Sequence, residues 1–160
     1  MIVVMAGLPG TGKTTLAKAL AERLGGVVVS KDAIRAAALG RLVDYSAEQD
    51  DFCMELVYQV AKFIRGVPVI IDGRTFSKRR QVERMIEALG DVRVIECVAE
   101  ERVVKERLER DREHPAKNRS YEMYLEVKRA KEELQIPRLT IDTGTKGALE
   151  LALEYVIGHV

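Results

Sequence analysis

Tryptophan is absent from this chain of 160 residues, asparagine occurs once, at Asn118, and histidine and cysteine occur twice each. Cys53 and Cys97 lie in apolar stretches, and neither has a second Cys or a His at metal-ligand spacing. That pattern excludes a disulfide scaffold and fits buried thiols in a reducing compartment. His114 and His159 are isolated, so no zinc site is expected. No apolar run reaches the length of a membrane span. The first apolar run stops before Gly7 and has no basic segment ahead of it, which does not fit a secretory signal, so a cytoplasmic protein is expected. Excess charge of one sign is also missing. Twenty-six Lys and Arg stand against 25 Asp and Glu, a net charge of +1. This excludes a global field for nucleic acid or for a cationic partner, though local patches remain open. The surface bias toward Lys, Arg and Glu is that of proteins from hot environments. The length is that of one domain with one sizeable core, expected to span 1–160.

What the chain does have is Gly7-Leu8-Pro9-Gly10-Thr11-Gly12-Lys13-Thr14, which meets every fixed position of the phosphate-loop pattern G-x-x-x-x-G-K-[ST]. An apolar run, Ile2 to Ala6, precedes it as a buried strand, and Thr15 to Leu24 follows as a helix. Glycines 7, 10 and 12 let the backbone turn and approach a ligand closely. Amide N–H groups then form an anion nest at a helix N-terminus. Gly7, Pro9, Gly10, Thr11, Gly12, Lys13, Thr14 and Thr15 are therefore the expected nucleotide-binding residues. Lys13 would reach the β- and γ-phosphates, and the Thr14 hydroxyl would ligate Mg²⁺.

Strands and helices alternate beyond the loop. Strands are expected at Val27 to Ser30, Val67 to Asp72, Val92 to Val98 and Arg138 to Asp142. Helices are expected at Asp32 to Leu39, Ala47 to Arg65, from a Ser77 cap to Leu89, Glu100 to Arg112, Arg119 to Leu134 and Ala148 to Ile157. In the long helix Phe52, Leu56, Val60 and Phe63 recur on one face, with Val57 and Ile64 beside them. The order predicts an α/β fold, a three-layer sandwich of the P-loop NTPase kind with a five-stranded parallel sheet and helices on both faces. Right-handed crossovers bring the phosphate loop to the carboxyl edge of that sheet. The charged stretch from about 100 to 120 is the expected helical lid.

Three further features suggest phosphoryl transfer to an alcohol. Asp32 and Arg35 follow the second strand and share a helical face. Asp32 could take the proton of an attacking hydroxyl, with Arg35 positioning it or holding an anionic acceptor; the alternative is a helix cap paired with Arg35. Asp72 ends the third strand, where a carboxylate would hold Mg²⁺; the alternative is an Asp-Gly turn. Arg74, Arg79 and Arg80 after it fit a solvated helix start at least as well as an acceptor site. Arg102, Arg107, Arg110 and Arg112 form an arginine run ending near Arg119. Arg107 and Arg110 share a face and could fold over ATP, or the helix could be a surface element laced with pairs such as Glu106–Arg110.

Together GLPGTGKTT, SKDAIR, IIDGRTFSKRRQ and RLERDRE resemble the P-loop kinases related to phage polynucleotide kinase, zeta toxins, seryl-tRNA kinases and chloramphenicol phosphotransferases. The resemblance covers nearly the whole chain and implies a kinase that uses ATP and Mg²⁺. It implies Asp32 as general base, Arg35 at the acceptor or its phosphate, and Arg107 or Arg110 as the lid arginine. The chain departs from these relatives at Gly73-Arg74-Thr75, where many carry a small residue and then Thr-Asn. A polynucleotide 5′-hydroxyl is the leading expected acceptor. Close behind is a small-molecule alcohol such as a nucleoside, sugar, antibiotic or adenylylsulfate. A non-kinase ATP-binding regulator and a module for another anion are the rivals. A guanine-reading Asn-Lys-x-Asp is missing, since Arg119 follows Asn118, and an AAA-type motor would need a longer chain with a second helical domain.

Overall fold

The computed structural model describes residues 1–110 and 118–158. Five parallel strands, β1 (Ile2–Ala6), β2 (Val27–Ser30), β3 (Val69–Asp72), β4 (Arg93–Val98) and β5 (Leu139–Asp142), form one sheet in the order β2-β3-β1-β4-β5. The helices are α1 (Lys13–Leu24), α2 (Lys31–Leu39), α3 (Ala47–Phe63), α4 (Arg79–Leu89), α5 (Glu101–Arg110), α6 (Tyr121–Ala130) and α7 (Ala148–Ile157), with a short 3-10 turn at Gly40–Leu42.

The central strands are apolar at successive positions because both sheet faces are covered. Val4, Ile71 and Val94 face α3 and α4, packing with Met54, Val57, Tyr58, Val82 and Met85. Val3, Met5, Ile70, Ile95 and Cys97 face α1 and α7, packing with Leu16, Leu20, Ala152 and Val156. A third cluster, Val104, Leu108 and Tyr124, joins α5 to α6 and reaches Leu8 of the phosphate loop. The expected three-layer sandwich is the observed one. Cys53 and Cys97 are buried free thiols, and burial pushes the Cys97 thiol up to about 12.

Several local expectations need correction. In α3, Phe52, Val60 and Phe63 face solvent, and Phe63 is 86% exposed. The helix instead turns Cys53, Met54, Val57, Tyr58 and Ala61 to the sheet. Two apolar stripes compete on this helix, and the buried one packs with Val4, Val29 and Ile71 of the sheet. Helix α4 starts at Arg79, not after a Ser77 cap. The Ser77 carbonyl accepts from Glu132 N at 2.9 Å, while Glu132 Oε2 accepts from Arg79 N at 2.6 Å. An acceptor from a distant segment thus caps α4. Helix α6 begins after its Ser120 cap and stops at Ala130, short of Leu134. Beyond it the chain is tied to the sheet, since Glu96 of β4 accepts from Lys131 and, at 2.6 Å, from Arg138. The expected positions Arg112, His114 and His159, and the middle of the lid, lie outside the described residues. No described helix is long and apolar enough to cross a membrane.

Candidate active site

The phosphate loop connects β1 to α1 through three glycines with positive φ: Gly7 at 130°, Gly10 at 76° and Gly12 at 88°. A Cβ at Gly12 would lie 2.8 Å from Thr143 Oγ1 and 3.2 Å from an Arg107 nitrogen, so the position admits neither a side chain nor an L-residue backbone without strain. Thr11 is buried and its hydroxyl donates to Leu8 O at 2.7 Å, bracing the loop from behind. The Lys13 ammonium donates to the Gly7 and Leu8 carbonyls, both at 2.8 Å. Burial pushes its pKa down to about 8, against the pull of Asp72, so this ammonium lacks a full counter-charge.

The Thr14 hydroxyl donates to Asp72 Oδ2 at 2.7 Å. Asp72 is buried, and its Oδ1 has no hydrogen-bond partner among the described residues. A hydroxyl beside a carboxylate with an unused oxygen suits Mg²⁺, which takes few protein ligands and completes its shell with water and phosphate. Among the described residues no group of three or more His, Cys, Asp or Glu could cage a metal unaided. Of the two readings of Asp72, this pairing favours the metal carboxylate over the plain turn.

One cleft of about 1260 Å³ runs from the loop to α2 and α3. It is lined by Pro9, Gly10, Gly12, Lys13, Thr14 and Thr15 on one side and by Lys31, Asp32, Arg35, Asp50 and Arg74 on the other. Gly7 and Thr11 shape the loop without lining the cleft. Register explains the juxtaposition: Ser30 pairs with Asp72, so β2 and β3 end level, and the first turn of α2 places Asp32 at the same edge of the sheet as Asp72. Ser30, not Asp32, caps α2, its hydroxyl accepting from Ala33 N at 3.2 Å. Asp32 is buried, and among the described residues its contacts to cations are long, 3.6 Å to Lys31 Nζ and 3.5 Å to Arg35.

Sequence reasoning missed the hub of this half. Arg35 reaches Asp50 Oδ1 at 2.6 Å, Arg74 reaches Asp50 Oδ2 at 3.0 Å, and Lys31 also bonds Asp50. Arg74 is buried and bonds Asp51 as well, so it is not part of a solvated helix start; Arg79 and Arg80 are exposed, and Arg80 meets Asp51 at 2.7 Å. The signal was present in Asp50-Asp51 one turn into α3, but only the helix's rotation turns it to the cleft.

On the lid side Arg107 donates to Gly10 O at 3.3 Å and to Thr143 Oγ1 at 3.0 Å, while Thr143 donates to Thr11 O at 2.6 Å. Arg110, Asn118 and Arg119 line the same cleft. Arg107 is therefore the arginine seated on the phosphate loop. Glu106 pairs with Arg102 at 3.3 Å.

Comparison with known proteins agrees with this fold. A "Putative adenylate kinase" of Pyrococcus abyssi is 40% identical over 74 residues, 46% of this chain. The aligned part spans only 40% of that relative. The solved structure of "a putative kinase" from Chloroflexus aurantiacus is 26% identical, with a TM-score of 0.75 over 99% of this chain and 97% of that one. A sugar kinase from Janibacter shares the fold at 22% identity, with a TM-score of 0.73 over 97% and 93% of the two chains. A family profile described as an AAA domain matches residues 2–137, from β1 to beyond α6. The chain belongs to that AAA-domain family, and its fold is that of the P-loop kinases.

Proposed function

We propose that the protein is an ATP-dependent kinase that transfers the γ-phosphoryl group to the hydroxyl of a small molecule. The observation that carries this reading is the placement of Asp32. It lies in the first turn of α2, level with the end of β3, so a buried carboxylate whose cation contacts among the described residues are long shares a cleft with Lys13 and with Thr14, the partner of Asp72. A hydrolysing switch needs to orient only water, whereas this cleft has a whole second half, floored by α2 and α3.

In the proposed reaction the acceptor hydroxyl gives its proton to Asp32 as its oxygen forms a bond to the γ-phosphorus. The bond from that phosphorus to the β–γ bridging oxygen breaks, and ADP leaves. Mg²⁺, held by Thr14 and Asp72, would neutralise phosphate charge. Lys13 would exchange the loop carbonyls for phosphate oxygens, and Arg107 would meet charge at the transferred group. Positioning and charge supply most of the rate.

The names of the relative and of the solved structures support a small acceptor: adenylate and sugar kinases, with no nucleic-acid kinase among those described above. The expected polynucleotide 5′-hydroxyl has no such support and is not carried forward. The test is transfer from labelled ATP to a panel of nucleosides, sugars, aminoglycosides and adenylylsulfate. Label on one class supports the reading; label only in free phosphate supports a regulator.

A further inference from the structure

The half of the cleft across from the phosphate loop is rich in cations, yet none of the four there, Lys31, Arg35, Arg74 and Arg80, stands alone. Lys31 and Arg35 bond Asp50, Arg74 bonds both Asp50 and Asp51, and Arg80 bonds Asp51. Lys31, Arg35 and Arg74 are each more than nine-tenths buried, so water does not take the place of these carboxylates. The Tyr45 ring lies 5.3 Å from the guanidinium carbon of Arg35 and covers one of its faces.

We propose that Asp50 makes this half of the cleft a seat for an uncharged hydroxyl compound, by occupying the cations that would otherwise take an acceptor's phosphate or carboxylate. The proposal rests on the kinase reading above, in which this half holds the acceptor, and names the class of acceptor.

The argument is electrostatic. An anionic acceptor would have to compete with Asp50 and Asp51 for these cations and then sit beside Asp32, Asp50 and Asp51. Removing one partner from a buried pair leaves a charge uncompensated, which is costly. A polyol or nucleoside hydroxyl can share these carboxylates and N–H groups without displacing any pair. Burial opposes ionisation of Asp50, but Lys31, Arg74 and Arg35 outweigh it and hold the carboxyl below the usual carboxylate range. Asp50 therefore stays charged at neutral pH and keeps the cations engaged. A nucleoside monophosphate, the acceptor that the archaeal relative's name suggests, is excluded on this account while its nucleoside is admitted.

The test fills the phosphate loop with Mg²⁺ and a non-hydrolysable ATP analogue, then titrates AMP or adenosine calorimetrically. Wild-type protein is expected to show no AMP binding up to millimolar concentration. Asp50→Asn removes one charged partner from each of Lys31, Arg35 and Arg74, leaving Arg74 with Asp51, and is expected to raise AMP affinity at least tenfold relative to adenosine. A purely structural role for Asp50 would produce no such gain. Adding Arg74→Met to D50N should remove the gain. Micromolar AMP binding by the wild type, or no gain in D50N, overturns the proposal. Should D50N not fold, Asp50→Ser replaces it, and the wild-type titration decides by itself. Should the loop not fill with the analogue, the kinase reading fails separately, and the AMP comparison is repeated on a Lys13→Ala background.

Discussion

The Thr14 hydroxyl donates to Asp72 Oδ2 at 2.7 Å and so ties the first turn of α1 to the end of β3. Asp72 Oδ1, buried beside it, has no hydrogen-bond partner among the described residues. Asp72→Asn should therefore cost about 2 kcal/mol of Mg-dependent ATP affinity, the scale of a hydrogen bond to a charged group. Titration of ATP with Mg²⁺ or with EDTA checks this. The chelator should weaken wild-type binding and leave D72N nearly unchanged.

Lys13 gives a pH dependence of definite sign. Burial lowers its pKa from 10.5 to about 8 in the native protein. Between those values the unfolded chain binds more protons than the native one, so this group's contribution to stability rises with pH across that window. Nucleotide binding goes the other way. A triphosphate supplies the missing counter-charge and reprotonates the amine, so ATP affinity should fall above pH 8 and proton uptake should approach one. Calorimetry in two buffers of different ionisation enthalpy, at pH 7 and pH 9, reads both.

Arg107 and Thr143 act as one unit. Arg107→Ala should slow transfer by about 100-fold, the usual scale for losing one donor to transition-state charge, with a small change in ATP affinity. Thr143→Val should give part of that loss, and Thr143→Ser, which keeps the hydroxyl, should restore it. Arg110→Ala should cost less than R107A, because Arg107 is the one bonded to Gly10 O and Thr143. Single-turnover rates with the acceptor identified by the panel rank the four variants.

The rotation of α3 can be tested by stability alone. Phe63→Ala, at an 86% exposed position, should change the unfolding free energy by no more than about 0.5 kcal/mol. Val57→Ala, in the core, should cost about 2 kcal/mol. Urea titrations distinguish this from a large loss at Phe63, which the amphipathic reading through Phe52, Leu56, Val60 and Phe63 predicts.

That helix also marks what the sequence could and could not reveal. The phosphate loop and the strands are legible because their signals are local: glycines at fixed spacing, and apolar runs buried on both sheet faces. In α3 two apolar stripes compete, and choosing the bulkier one misplaces the helix about its own axis. The same choice hides Asp50, which shares a face with Met54, Val57 and Ala61 and so turns to the cleft only in the observed rotation. Arg74 looked like part of a basic helix start because the carboxylates that bury it lie more than 20 residues earlier, on α3. The Thr143 bridge to Thr11 spans 132 residues, and no local pattern announces it. The Glu132 cap on α4 is hidden for the same reason.

The central claim is that Asp32 serves an acceptor hydroxyl opposite the phosphate loop. The most direct measurement is the rate of label transfer from ATP to the best acceptor of the panel, for wild type and Asp32→Asn, alongside the ATP affinity of each. The account predicts that D32N binds ATP within a few-fold of wild type and transfers at least 100-fold more slowly. Undiminished transfer by D32N, or a wild type that labels only water-derived phosphate, would contradict it.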